Sequence, residues 1–439
     1  MRRSRLIDPL GKPQFRRLAT SYAVNELGDW MGIVALSVLV FDRTGSAMAT
    51  AALFLGTRFL PALIAPILVA RVEQPPPRFA LPVLYCGEAA AFGALALLAG
   101  GNFALPLVVI LATIDGTLAL TARSLTRAVV AALLEPTGEL RSGNAVLNVA
   151  FTGGAAIGPG IAGLVVGGFG VQTALLLDAA SFYAIGWILL TAGPLPQAEP
   201  DPGLVRERVR AGIAYIRERA TLRRLLIAQG AAFVFFAAVI PIEVIYAKET
   251  LETGDSGYGL LLGSWGVGMV LGSLVFARLR RTPLPLLLFF STVAVGAGYL
   301  GLSAAPGLGL ACAASIVGGA GNGVQWVSTV SAVQELTVQG MQARVMSVLE
   351  SIGAAMPGVG YLLGGAIAAE LNPRATFFVA GVGVLAIVAL AVPALGRKWP
   401  LRRENAGDGA LDADAEIMVE LIPVGRNPSP ARSKSEVVS

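Results

Sequence analysis

The sequence contains no histidine. That absence excludes histidine–metal sites, Ser-His-Asp hydrolysis and histidine proton relays, so any proton handling falls to carboxylates. Cysteine is nearly absent. Cys86 and Cys312 both lie inside apolar runs and suggest neither a disulfide framework nor a metal site. Charge is scarce: Asp, Glu, Lys and Arg make up 14% of the chain, against roughly 25% in a soluble domain. No glycine-rich loop follows a strand; the cluster GNGVQW at 321–326 sits inside an apolar run and is no phosphate cradle. No nucleophile–base pair stands out. These gaps argue against an enzyme, a cofactor and a bound metal. The modest net charge of +5 makes nucleic acid a poor partner.

What is present is apolar length. Mean hydropathy is +0.71. A bilayer-spanning helix needs about 20 apolar residues, and twelve runs qualify, at roughly 17–41, 47–70, 79–100, 103–127, 143–168, 171–193, 224–247, 257–279, 283–304, 307–334, 345–369 and 374–396. We number them spans 1 to 12. The expectation is an all-α, multi-pass membrane protein in five parts. These are an N-terminal segment 1–16, a six-helix half 17–193, a central loop 194–223, a second half 224–396, and a tail 397–439 whose Pro, Ser and charge content predicts disorder.

Cations set the orientation. Taking alternate connections from the N-terminus, one side of the membrane collects 28 Lys and Arg and the other only Arg43, Lys248 and Arg374. Both termini are therefore expected in the cytoplasm, in a plasma or inner membrane. The central loop supplies part of that charge. After GPLPQAEPDPG, the stretch LVRERVRAGIAYIRERATLRR carries Val205, Val209, Ile213, Ile216 and Ala220 at helical spacing, with arginines opposite. It predicts a basic amphipathic helix lying on the membrane surface.

The chain repeats itself. LFLGTRFLPALIAPILVAR at 53–71 aligns without a gap on LLLGSWGVGMVLGSLVFAR at 260–278, and GGAAIGPGIAG at 153–163 echoes GAAMPGVG at 353–360. Span 2 thus matches span 8, and span 5 matches span 11, as parallel six-helix repeats require. Gly154 and Gly158, with Gly163 following, allow close backbone approach, and Pro159 favours a kink.

With NELGDW at 25–30, VFDRTGSA at 40–47, RFLP at 58–61, LLEPTGELRSGNAVLN at 133–148 and GPGIAG at 158–163, the chain resembles the major facilitator superfamily. Within it, the phrases resemble the prokaryotic exporter branch of the enterobactin exporter and macrolide-efflux-type proteins. The resemblance implies two six-helix pseudo-repeats that rock about a central site. It also implies a latch in the loops after spans 2 and 8. Here ARVEQPPPRF at 70–79 breaks that motif, with Glu73 standing for its acid and Arg78 for a base, while ARLRRTP at 277–283 keeps Arg278 and Arg280 without an acid. A Gly-Pro pattern in span 5 implies an antiporter with those glycines at the interface between halves; Ala162 replaces one usual glycine.

Ionisable residues at membrane depth are the candidate functional groups. Asn25, Glu26 and Asp29 share one side of span 1; at 1.5 Å per residue Asp29 sits roughly 16 Å in, near mid-bilayer. Arg58 in span 2 reaches a similar depth. The resemblance places spans 1 and 2 side by side, so an Asp29–Arg58 pair is expected. It either fixes packing or breaks when a proton or substrate arrives. Asp115 and Arg123 in span 4, which the resemblance puts on the cavity, are second candidates. Glu88 reads as peripheral, and Asp178, Glu243, Glu335 and Glu350 as near-terminal and structural. Asn322, Gln325 and Trp326 in span 10 either contact substrate or bond one helix to another. The expected activity is proton-coupled efflux of an amphiphilic small molecule, drug- or siderophore-like, by a monomer whose partners are its substrate, protons and the bilayer. A facilitator or importer on the same fold, or a non-transporting scaffold or sensor, are the alternatives.

Overall fold

The computed structural model describes residues 8–72, 77–191, 205–279, 282–338 and 341–396. The tail 397–439, Glu73 and Arg280 lie outside them, and of Arg78 only the helical backbone, in Pro77–Gly100, is described. Every long element is a helix. The spans are Pro13–Thr44, Ala47–Val72, Pro77–Gly100, Leu105–Leu134, Leu140–Phe169, Val171–Leu190, Ala220–Thr250, Asp255–Arg278, Leu284–Ala304, Leu308–Glu335, Gln342–Glu370 and Pro373–Gly396. Eleven are long and apolar enough to cross a membrane. Span 10 has the length, 28 residues, but Asn322, Gln325 and its glycines dilute its apolar character.

The phrase VFDRTGSA forms the turn between spans 1 and 2. Gly45 closes span 1 in the left-handed region at φ 57°, its N–H bonding the Phe41 carbonyl at 2.8 Å. Ser46 then caps span 2, its hydroxyl accepting from the Ala49 N–H at 3.2 Å. A side chain at Gly45 is disfavoured by about 1–2 kcal/mol. Span 2 is interrupted by a π-helical turn at Leu55–Phe59, which carries Arg58. Such turns in α-helices often mark functional positions. Span 7 is broken as well, by a 3₁₀ turn at Ile240–Ile242 and a π turn at Tyr246–Thr250.

The repeat reappears in packing. Span 1 packs on spans 5 and 6, and span 7 on spans 11 and 12; span 3 packs on spans 4 and 6, and span 9 on spans 10 and 12. Span 2 packs on span 4 in its own half and on span 11 of the other; span 8 packs on span 10 and on span 5. Outward-facing residues such as Leu97, Val83, Leu164 and Leu390 are largely exposed, as suits surface solvated by lipid.

Two expectations change here. The arginine-rich segment is helical only over Val205–Glu218; Arg219 is extended and Ala220 opens span 7. Its buried face is Gly212, Tyr215 and Ile216, while Ile213 is exposed. That face packs on protein. Gly212 abuts the Arg344 carbonyl of span 11, and the Tyr215 hydroxyl accepts from the Val338 N–H at 3.0 Å. The helix is thus docked on the second half through Gly212, Tyr215 and Ile216.

The second correction concerns the span 5 glycines. A methyl at Gly154 would meet Glu26 Cβ at 3.1 Å, and one at Gly158 would meet Trp30 Cβ at 3.0 Å. Both face span 1 within their own half. The contact between halves runs along a neighbouring face of span 5: Gly266 abuts the Ala155 carbonyl, the Pro159 carbonyl faces Gly259, and a methyl at Gly163 would lie 2.7 Å from Gly259 Cα. Around it the halves close on one face of the membrane. Gly365 of span 11 meets Ala51 and Met48 of span 2, and Lys248 bridges Asp42 of span 1 and, at 2.7 Å, Asp255 of span 8. The other two cations of this face are also engaged: Arg43 donates to the Ala99 carbonyl and Arg374 to the Ser303 carbonyl, each at 2.8 Å.

Candidate functional site: the cavity between the halves

Two confluent cavities lie between the halves, sharing Ile33, Arg58, Gly353 and Tyr361. The smaller, about 300 Å³, is lined by Asp29, Arg58, Asp115 and Arg123, with Phe59 and Phe92. The larger, about 610 Å³, is lined mainly by the second half.

The charged cluster is built on spans 1 and 4. The Arg123 Nη2 donates to Asp29 Oδ2 at 2.7 Å and lies 3.2 Å from Glu26 Oε1. Asn25 Nδ2 donates to the same Asp29 oxygen at 3.3 Å. Glu26 is 2% exposed, so one guanidinium serves two carboxylates. The expected Asp29–Arg58 pair is not what forms. Axial depth placed Arg58 level with Asp29, but Arg123 comes into contact and Arg58 stands exposed in the cavity. Removing one partner of a buried pair leaves a bare charge, at a cost of about 3–5 kcal/mol.

Further carboxylates surround this cluster. Glu88, expected at the periphery, is fully buried, and neither oxygen has a hydrogen-bond partner among the described residues. Asp178, expected near a span end, is equally buried and packs where span 1 has only hydrogen side chains, against Gly28 and Gly32. Asp115 also has an unpartnered oxygen. The threonines of span 4 do not serve these acids: Thr113, Thr117 and Thr121 each donate to the carbonyl four residues back at 2.7 Å. No three His, Cys, Asp or Glu side chains among the described residues are grouped to hold a metal.

The larger cavity brings Asn322, Gln325 and Trp326 together with residues the sequence did not single out. Gln325 Nε2 donates to Gln229 Oε1 at 3.0 Å, and Thr329 donates to the same oxygen at 3.1 Å. Trp326 lies beside Phe233, ring centres 6.2 Å apart. Trp265 and Tyr299 stack at 5.4 Å, and Phe236 leans on Trp265. Glu243 and Glu350, read as near-terminal, line this space; for Glu243 the broken end of span 7 is the reason. Of the latch residues, Arg278 ends span 8, exposed.

The arrangement provides a bilayer-depth chamber with a charged wall and an aromatic wall. Solved structures with the same architecture are transporters. The chain is similar to the nucleoside transporter NupG (a mutant form; TM-score 0.72, 13% identity, 87% of this chain and 99% of that one). It is also similar to a bacterial homologue of the iron transporter ferroportin in an inward-facing state (0.69, 14%, 87% and 98%), and to a POT family transporter in complex with a thioalcohol-conjugated peptide (0.68, 13%, 87% and 96%). No curated protein matches in sequence. The model of the transmembrane secretion effector family matches residues 4–408. The protein is therefore a multi-pass membrane transporter and not an enzyme, and it belongs to the transmembrane secretion effector family of the major facilitator superfamily.

Proposed function

We propose that this chain exports an amphiphilic small molecule, drug- or siderophore-like, in exchange for protons, by alternating access between its halves. We place it in the exporter branch with the enterobactin and macrolide-efflux-type proteins. The observation that carries the reading is the Asp29–Arg123–Glu26 cluster opening onto the same chamber as the aromatic wall. An amphiphile has a body for the rings and a polar group for Arg58, Gln229 or Asn322. A proton has Asp29, Glu26, Glu88, whose two oxygens lack a partner among the described residues, and Asp115 and Asp178, each with one such oxygen. Coupling needs proton and substrate to favour opposed states. Here a guanidinium released from Asp29 by a proton becomes free to rearrange as the halves move.

The chain works as a monomer, since one chain supplies both walls. Residues 17–193 and 224–396 are the moving halves, and 194–223 the cytoplasmic strap between them. Both termini face the cytoplasm of a plasma or inner membrane. In that orientation the face closed by Lys248, Asp42 and Asp255 is external, and the geometry is the inward-facing limb of the cycle.

Purified protein in proteoliposomes tests the reading. With a panel of amphiphiles, imposing a pH gradient should drive one of them uphill against proton flow. Downhill flux indifferent to the gradient would instead make the chain a facilitator. Orientation is checked separately with Cys86 and Cys312 replaced. An impermeant thiol reagent should label Gly101→Cys in intact cells and spare Thr282→Cys; the reverse pattern inverts the topology.

A further inference from the structure

Span 7 departs from α-helix where it borders the larger cavity, and Glu243 sits in that irregular stretch, directly after Pro241 and the 3₁₀ turn Ile240–Ile242. Its carboxyl lines the cavity and has no hydrogen bond or ion pair among the described residues. The same wall is made of Trp265, Tyr299, Tyr258 and Phe236. Trp265 and Tyr299 lie nearly parallel, 12° apart, and the Tyr299 hydroxyl is buried without a partner among the described residues. The cavity's other charged side chains are Arg58, on span 2 of the opposite half, and Glu350.

A half-buried carboxyl that opens on a ring-lined cavity and has no partner among the described residues is a place where a ligand can supply one. Its chemistry selects what would satisfy it. Ring faces carry negative quadrupole potential and attract cations; they repel a second anion. An inorganic ion needs several oxygen ligands, and no three acidic, Cys or His side chains among the described residues converge. We infer that Glu243, with the Trp265 and Tyr299 rings, forms a subsite for the positive end of a lipophilic organic cation, whose apolar body lies along Phe236 and Phe233. This names the substrate class for the reading above and rests on it for transport, though not for binding.

The test uses the full-length purified protein and two probes of similar bulk: methyltriphenylphosphonium, which is cationic, and triphenylphosphine oxide, which is neutral. The wild type should bind the phosphonium at least roughly tenfold tighter than the oxide. Glu243→Gln should remove most of that preference and leave oxide binding in place, while Glu243→Asp should retain part of it. Trp265→Leu keeps the carboxyl and removes the ring, and should weaken the phosphonium more than the oxide; it decides the matter if the Gln variant fails to fold. Equal affinity for both probes in the wild type overturns the subsite, as does a preference untouched by Glu243→Gln. Phosphonium binding that depends on Glu243, in a protein that drives nothing uphill, would sink proton-coupled export and leave the subsite standing. Uphill transport with phosphonium binding indifferent to Glu243 would do the opposite.

Discussion

Arg58 and Trp265 occupy the same place in the two copies of the repeat, 207 residues apart in an ungapped alignment. Both line the space between the halves. One copy offers it a guanidinium on a π turn and the other an aromatic ring stacked on Tyr299. The difference runs through each half. The first buries Glu26, Glu88, Asp178 and most of Asp29, with Arg123 among them. The second lines its share with rings and with amides that hydrogen-bond each other. A duplicated scaffold has kept its helix-to-helix pairings and divided the labour of its walls. Buried charge is concentrated in one half and aromatic rings in the other.

Breaking the charged wall should have the largest effect. Arg123→Ala strands Asp29 and Glu26 together at membrane depth, and we expect a loss of about 3–5 kcal/mol, read as a lowered Tm in detergent and abolished transport. Arg123→Lys keeps the charge and loses the guanidinium fork, so it should fold and transport poorly. Next comes the contact that both halves share. Gly163→Leu drives a side chain into Gly259, and should stop turnover while leaving ligand binding at the opposite end of the chamber within about threefold, a binding change of about 0.7 kcal/mol. Gly158→Leu should instead disturb Trp30 within the first half and act on stability.

Asp29→Asn sharpens the division. It mimics the protonated carboxyl, so substrate exchange should persist while uphill, proton-driven movement is lost. Uphill transport surviving in this variant would move the proton site to Asp115, Glu88 or Asp178. The smallest effect is expected on the aromatic side. Gln229→Leu removes the acceptor that holds Gln325 and Thr329, and should raise KM by up to about tenfold, at most about 1.4 kcal/mol, without altering the response to a pH gradient. If Gln229→Leu changed that response and Asp29→Asn did not, the proposed roles of the halves would be exchanged.

Much of the architecture was legible because bilayer thickness imposes a length on every helix and a duplicated sequence imposes a matching set of contacts. The site was legible by depth and only partly by neighbour. Counting residues placed Asp29 and Arg58 at one level, but level says nothing about which way a side chain turns, and the π turn at Leu55–Phe59 alters the facing of Arg58. Asp178 looked terminal along the chain; its burial comes from Gly28 and Gly32 on span 1, which leave room for it. Apart from Trp326, the aromatic wall gave no sequence signal, since a tryptophan facing lipid, as Trp187 does at 64% exposure, and one facing a cavity, as Trp265 does, sit in equally apolar surroundings. Asn322 and Gln325 were visible because amides are rare in such helices, and Trp326 because it follows them directly.

The ammonium of Lys248 touches one carboxylate from each half, and every other cation expected on that face is already committed to a backbone carbonyl. Among the described residues the face therefore has a single ionic clasp, made by Lys248. Partly exposed pairs contribute about 0.2–1 kcal/mol each and weaken as salt rises, so the balance between the two access states carries a dependence on ionic strength amounting to a factor of a few. The medium outside the membrane thereby has a say in how long the transporter waits with that face shut, before any substrate or proton arrives.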